Sequence, residues 1–217
     1  MKGLCVFDLD GTLVDSIEDI AAAVNASLEE MQKPIHPVDA YYKMVGDGME
    51  MLCRRALSGG TEEEVKELVS RYKARYIKNC CNHTKTYPGI ETLLSALAEE
   101  DTGIAILSNK PQEQTQEVVE TLLSDIPFLE VIGQSERFPK KPDPAGLNYL
   151  IEKAGVSKEQ VWYIGDSDVD MYLGNSVNVN AIGVAWGFRG EKELKDAGAK
   201  EVFQTANELQ TFLLSHI

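Results

Sequence analysis

The sequence predicts an α/β protein: a doubly wound parallel sheet covered by helices, with a helical domain inserted after its first strand. Three observations carry this expectation. Short apolar runs of strand length alternate with stretches at helical spacing through most of the chain. One long segment, from about Ser16 to Asn82, has helix signals and no strand-like run. The first apolar run ends in closely spaced aspartates followed by Gly-Thr. Strand–helix alternation of this kind argues for a parallel, Rossmann-like sheet with helices on both faces.

Strands are expected at Leu4–Phe7, Ile104–Leu107, Glu130–Ile132, Val161–Ile164, Ala181–Ala185 and Glu201–Phe203. Helices are expected over Pro111–Leu123, Asp143–Ala154 and Val169–Val177. Right-handed crossovers then bring the carboxyl ends of the strands to one edge, where ligands bind in such sheets. Within the insertion, Ser16 and Asp19 read as a capping box, followed by Ile17, Ile20, Ala21, Val24, Leu28 and Met31 on one helical face. Pro34 and Pro37 break the chain, and Thr61 with Glu64 reads as a second capping box. The stripe Val65, Leu68, Val69, Tyr72 and Tyr76 after it reads as core. The expected division is residues 1–14 and 84–217 for the sheet domain and 15–83 for the helical one.

Composition narrows the function classes. The 217 residues include 35 acidic and 21 basic side chains, for a net charge of −14. Such a field repels nucleic acid and anionic membranes, and a small phosphate would need a local cation to be held. The apolar runs fall far short of the ~20 residues of a membrane span. Cys5, Cys53, Cys80 and Cys81 show no C-x-x-C spacing, and Met1-Lys2 leads straight into a strand-like run. Both features fit reduced thiols in a cytoplasmic protein. Cys80, Cys81 and His83 lack a second ligand pair and read as structural.

The chemistry sits at the expected strand ends. Asp8 and Asp10 flank Leu9, so strand alternation points the two carboxylates the same way. They repel each other unless a cation lies between them. Ser108-Asn109-Lys110 follows the second strand, although Asn109 would equally serve as a helix N-cap. Lys141 lies in Lys140-Lys141-Pro142-Asp143-Pro144, a natural helix start that is also placed to hold an anion. Val161–Ile164 runs into Gly165-Asp166-Ser167-Asp168-Val169-Asp170, where Asp168 is expected to cap the next helix. Hard oxygen donors without a soft ligand select magnesium. A metal, a lysine and hydroxyl or amide donors around one anion are what phosphoryl transfer requires.

The set Asp8-Leu9-Asp10-Gly11-Thr12-Leu13, Ser108-Asn109-Lys110, Lys141-Pro142 and Gly165-Asp166-Ser167…Asp170 resembles, in order, the four motifs of the haloacid dehalogenase superfamily. The insertion resembles that family's helical cap. Ser108-Asn109-Lys110-Pro111, Lys141-Pro142-Asp143-Pro144 and Val45-Gly46-Asp47-Gly48 most resemble its phosphoglycolate phosphatases. The resemblance implies that Asp8 attacks phosphorus to form an aspartyl-phosphate, and that Asp10 serves as general acid and then base. It implies that Ser108 and Asn109 hold phosphoryl oxygens and that Lys141 neutralises charge and tethers Asp8. Thr12 is carried over with the substrate-contacting residues and is expected to steady Asp10. Magnesium is expected on Asp8, the Asp10 backbone carbonyl and Asp166, with Asp170 beside it. Gly174 and Asn175 depart from the family's alanine-rich helix and put that helix's stability in question, while Asn178 can supply its left-handed end.

These expectations describe a magnesium-dependent phosphatase for a small phosphate monoester, as a monomer or homodimer, with hinges near Val14–Ser16 and His83–Pro88. A phosphomutase or pyrophosphatase on the same scaffold fits the motifs, and a nucleoside monophosphate is a further possible substrate. Retention of Asp8, Asp10 and Lys141 weighs against a catalytically silent binding protein. A dehalogenase would not need Asp10, and a phosphonate-cleaving enzyme would need a cap lysine, for which Lys43 is the remote candidate.

Overall fold

In the computed structural model, which describes all 217 residues, β1 (Leu4–Phe7) lies inside a six-stranded sheet. Its neighbours are β4 (Gly103–Pro111) and β6 (Val161–Gly165). Beyond them lie β5 (Glu130–Gln134) on one side, then β7 (Asn180–Val184) and β8 (Glu201–Phe203) on the other. The order is β5-β4-β1-β6-β7-β8, with every pair parallel. Burial on both faces explains why the central strands β1, β4 and β6 read as continuous apolar runs. Leu4 and Val6 join one buried cluster, with Leu147 and Leu150, whereas Cys5 and Phe7 join the other. The chain leaves β1 toward β4 and β5 and later returns to β6, so a crevice opens where the strand order reverses.

All six expected strands form, within a few residues of the anticipated bounds. β4 runs further than expected, to Pro111, with a register irregularity between Leu107 and Pro111. Ser108, Asn109 and Lys110 therefore belong to the distorted end of a strand, which follows α4 (Ile90–Glu99), and α5 (Gln112–Leu122) begins after Pro111. α6 (Ala145–Ala154) and α7 (Asp168–Val177) also form where periodicity places them. Gly174 turns out to serve packing, since a Cβ there would lie 2.9 Å from the Cβ of Ala181 on β7. Asn175 donates to the Gly198 carbonyl at 3.0 Å, and Asn178 ends α7 in the left-handed conformation.

Between β2 (Val14–Asp15) and β3 (Lys85–Thr86), which pair antiparallel, the chain is helical. It comprises α1 (Ile17–Glu30), a 3-10 turn over Val38–Lys43, α2 (Met49–Leu57) and α3 (Glu62–Tyr76). The Thr61–Glu64 capping box forms as expected. The Ser16–Asp19 box does not: Ser16 makes no side-chain cap bond, and its hydroxyl donates to Asp10 Oδ1 at 2.6 Å. Asp19 instead accepts from the His83 and Thr84 amides and from the Thr84 hydroxyl. Local spacing is the same in both cases, but a buried carboxylate takes the stronger set of donors. Asp19→Ala would strand those donors, and a loss of about 2–3 kcal/mol in urea unfolding is expected.

The insertion does not bury its apolar face separately. Val24, Leu68 and Tyr76 belong to the same cluster of 37 residues as Phe7, Ile106 and Leu209 of the sheet layer. The four cysteines are free, and His83 lies beside Glu18 rather than beside a thiol ligand set. No helix is long and apolar enough to cross a membrane.

Candidate active site

The carboxyl ends of β1, β4 and β6, with the loop between β5 and α6, bring the motif residues to one crevice. Asp8 follows directly on β1, and Leu9 turns into the large apolar cluster. The chain then bends at Gly11, whose φ of +84° suits glycine. A Cβ at Gly11 would fall 2.3 Å from Asp166 Oδ2, so the absent side chain also makes room for that carboxylate.

Lys141 is only 4% exposed and is the electrostatic centre. Its ammonium lies 2.9 Å from Asp8 Oδ1 and 2.7 Å from Asp170 Oδ1. Burial pulls this ammonium down, but Asp170 and Asp8 outweigh it and hold Lys141 well above its ordinary value. Asp170 also accepts from Tyr163 on Oδ1, and from the Ser167 amide and hydroxyl on Oδ2. Ser167, not Asp168, is thus the N-cap of α7, with Asp170 reaching back to it.

Asp8, Asp166 and Asp170 can each present an oxygen within 4.8 Å of the others. Three buried carboxylates against one nearby lysine leave local negative charge. Burial pushes Asp8 up to about 6, with Asp170 adding to the rise and Lys141 opposing it. Burial raises Asp166 well above the ordinary carboxylate value, and Asp8 and Asp170 raise it further. Asp166 is held by the Phe188 amide at 2.7 Å and the Thr12 hydroxyl at 3.3 Å. The all-oxygen donor set and its unbalanced charge fit a hard divalent cation.

Thr12 thereby departs from expectation. It is fully buried, bonds Asp166 rather than Asp10, and does not line the cavity, so it is not placed to touch substrate. Asp10 is held instead by Ser16 and by Lys110, whose ammonium lies 2.8 Å from both carboxylate oxygens. Lys110 also donates to the Tyr76 hydroxyl at 2.8 Å, so the residue on β4 links Asp10 to α3 of the insertion. Burial lowers the Lys110 ammonium, yet Asp10 outweighs it and leaves the lysine raised.

Ser108 lines the crevice, and its Oγ accepts from the Lys110 amide at 3.3 Å. The Asn109 carboxamide is spent on protein: it accepts from the Lys141 amide at 2.6 Å and donates to the Gly46 carbonyl at 2.9 Å. The loop Val45-Gly46-Asp47-Gly48 lies over the crevice, where Arg189 donates to Val45 O and Lys140 to Asp47 O. Lys43 is exposed and does not line the cavity. Arg189 and Gln114 do line it, and sequence reasoning missed both. A Gly-Phe-Arg turn and a helical glutamine carry no local signal, and only tertiary placement singles them out.

The family's sequence model, described as haloacid dehalogenase-like hydrolase, matches residues 5–184. The chain belongs to the haloacid dehalogenase-like hydrolases. It is 32% identical over 211 residues to a protein of Mannheimia succiniciproducens named phosphoglycolate phosphatase, covering 94% of each chain. A Haemophilus influenzae protein of the same name is 33% identical over 215 residues, covering 95% of this chain and 96% of that one. Among crystal structures, a provisionally assigned phosphoglycolate phosphatase of Lactobacillus delbrueckii subsp. bulgaricus superposes with a TM-score of 0.92. It is 27% identical, and the match covers 98% of both chains.

Proposed function

We propose that this protein is a magnesium-dependent phosphatase that hydrolyses a small organic phosphate monoester, of the phosphoglycolate type, through an aspartyl-phosphate. The observation that carries the reading is the convergence of Asp8, Lys141 and Asp166, with Asp10 separately held beside them. The relatives' shared name supports the substrate class.

Asp8 has the role of nucleophile. Lys141 keeps its carboxylate ionised and oriented, and would meet the charge that gathers on the phosphoryl oxygens. Ser108 supplies a hydroxyl donor to one of those oxygens. Asp10 protonates the departing oxygen and later takes the proton from the attacking water. Ser16 and Lys110 fix the orientation of Asp10, which must point to the leaving group and not to Asp8. Asp170 works through Lys141, its oxygens being already taken by protein donors. Asn109 holds the Lys141 backbone and the Gly46 loop together, so its contribution is to assemble the site. The Asp8 and Asp166 carboxylates with the Asp10 backbone carbonyl would hold magnesium, which supplies charge neutralisation at the phosphoryl group. The cavity, about 60 Å³, suits a substrate of few atoms.

The direct test is phosphate release from p-nitrophenyl phosphate and from a panel of esters that includes phosphoglycolate and pyrophosphate. Turnover should require magnesium, and full activity in excess EDTA would overturn the reading. Metal binding is also expected to show as stability. A carboxylate whose folded pKa is raised, as for Asp8 at about 6, adds stability at low pH and loses it as pH climbs through that value. Magnesium competes with the same protons. Added magnesium should therefore raise the thermal midpoint more near pH 8 than near pH 5. An equal shift at both would count against Asp8 and Asp166 as ligands.

A further inference from the structure

Gln114 sits in the first turn of α5, is 1% exposed, and lines the same cavity as Asp8, Asp10 and Ser108. Neither Nε2 nor Oε1 of its carboxamide has a hydrogen-bond partner in the protein. A buried amide that the protein leaves unpaired is uncommon, so its presence on a cavity wall invites a ligand-side explanation. Two polar side chains at the end of β4 are already engaged. The Lys110 ammonium has spent its three protons on the two Asp10 oxygens and the Tyr76 hydroxyl, and the Asn109 amide is spent on Lys141 and Gly46. The insertion contributes Ile20, Leu52 and Tyr72 to the lining of this cavity. Gln114 thus offers an unspent donor and acceptor to a cavity that the insertion lines partly with apolar side chains.

We propose that Gln114 is a specificity-determining residue that hydrogen-bonds an oxygen carried by the leaving group of the phosphate ester. The proposal rests on the phosphatase reading and names the substrate class more closely: small esters whose leaving group bears a hydroxyl or carboxylate. The Gln114 N–H donates to either group, and a hydroxyl can also donate back to Oε1.

Three two-carbon esters separate these cases: phosphoglycolate carries a carboxylate, 2-hydroxyethyl phosphate a hydroxyl, and ethyl phosphate neither. In Gln114→Leu, kcat/KM for at least one oxygen-bearing ester should fall about tenfold or more relative to wild type. Ethyl phosphate should stay within about twofold. The ester that falls identifies the oxygen group. Gln114→Glu should retain more activity on the hydroxyl ester than on the carboxylate ester, which a new negative charge repels. The metal-free Gln114→Leu protein should melt no lower than wild type, because the substitution removes an unpartnered amide. Equal losses on all three esters, or no loss on any, overturns the assignment. No phosphate release by wild type from any ester, p-nitrophenyl phosphate included, overturns the phosphatase reading and this proposal with it.

Discussion

Replacing Asp8 with asparagine is expected to reduce phosphate release by at least about 10⁴-fold, because in the proposed mechanism Asp8 is the group that attacks phosphorus. The effect should lie in kcat, and the folded state should survive. Asparagine keeps the shape and can still accept from the Leu9 amide, which lies 2.7 Å from Asp8 Oδ1. It also removes one of three carboxylates that repel one another, while Lys141 keeps its 2.7 Å partner Asp170. The metal-free variant should therefore melt no lower than wild type, and its thermal midpoint should respond less to magnesium. Wild-type turnover by Asp8→Asn would remove the covalent route. A collapse in stability would mean that the Asp8–Lys141 pair is chiefly a structural bridge.

Much of this site is legible in the sequence because its chemistry is tied to strand ends. An apolar run that stops at Asp8, and another that stops at Asp166, place their carboxylates by backbone geometry alone. The paired strands β2 and β3 lie where the chain enters and leaves the helical insertion. What periodicity cannot supply is the choice among equally spaced polar partners. Ser16 and Asp19 have capping-box spacing, yet the fold brings Asp10 to one and Thr84 to the other. Thr12 lies two residues from Asp10 but bonds Asp166, which is 154 positions away. Lys110 is visible as part of a motif, whereas its grip on Asp10 and Tyr76 depends on α3 folding back over β4. Such pairings are decided by burial, since a charge taken from water takes the partners that best compensate it.

Lys141 is where the proposed function and the stability of the site meet, and Lys141→Met is expected to damage both. Methionine fills most of the volume, so the packing loss is small, and the charge is the main quantity removed. Asp8 and Asp170 would then face each other and Asp166 with no nearby ammonium among them. Removing one partner of a buried ion pair destabilises by about 3–5 kcal/mol, a large share of a typical 5–15 kcal/mol domain stability. Protonation offers the carboxylates a way out. With the opposing ammonium gone the Asp8 carboxyl is pushed higher still, so the deficit against wild type should be larger near pH 8 than near pH 5. Activity should fall by several orders of magnitude, because both the orientation of Asp8 and the countercharge to the phosphoryl oxygens are lost. The double variant Lys141→Met with Asp170→Asn separates the two roles. Neutralising Asp170 relieves one unpaired charge and leaves an amide that can still accept from Tyr163 or Ser167, so stability should recover in part while activity does not. Recovery of activity along with stability would show that Lys141 serves the fold alone, and its 2.9 Å contact with Asp8 would lose its catalytic meaning.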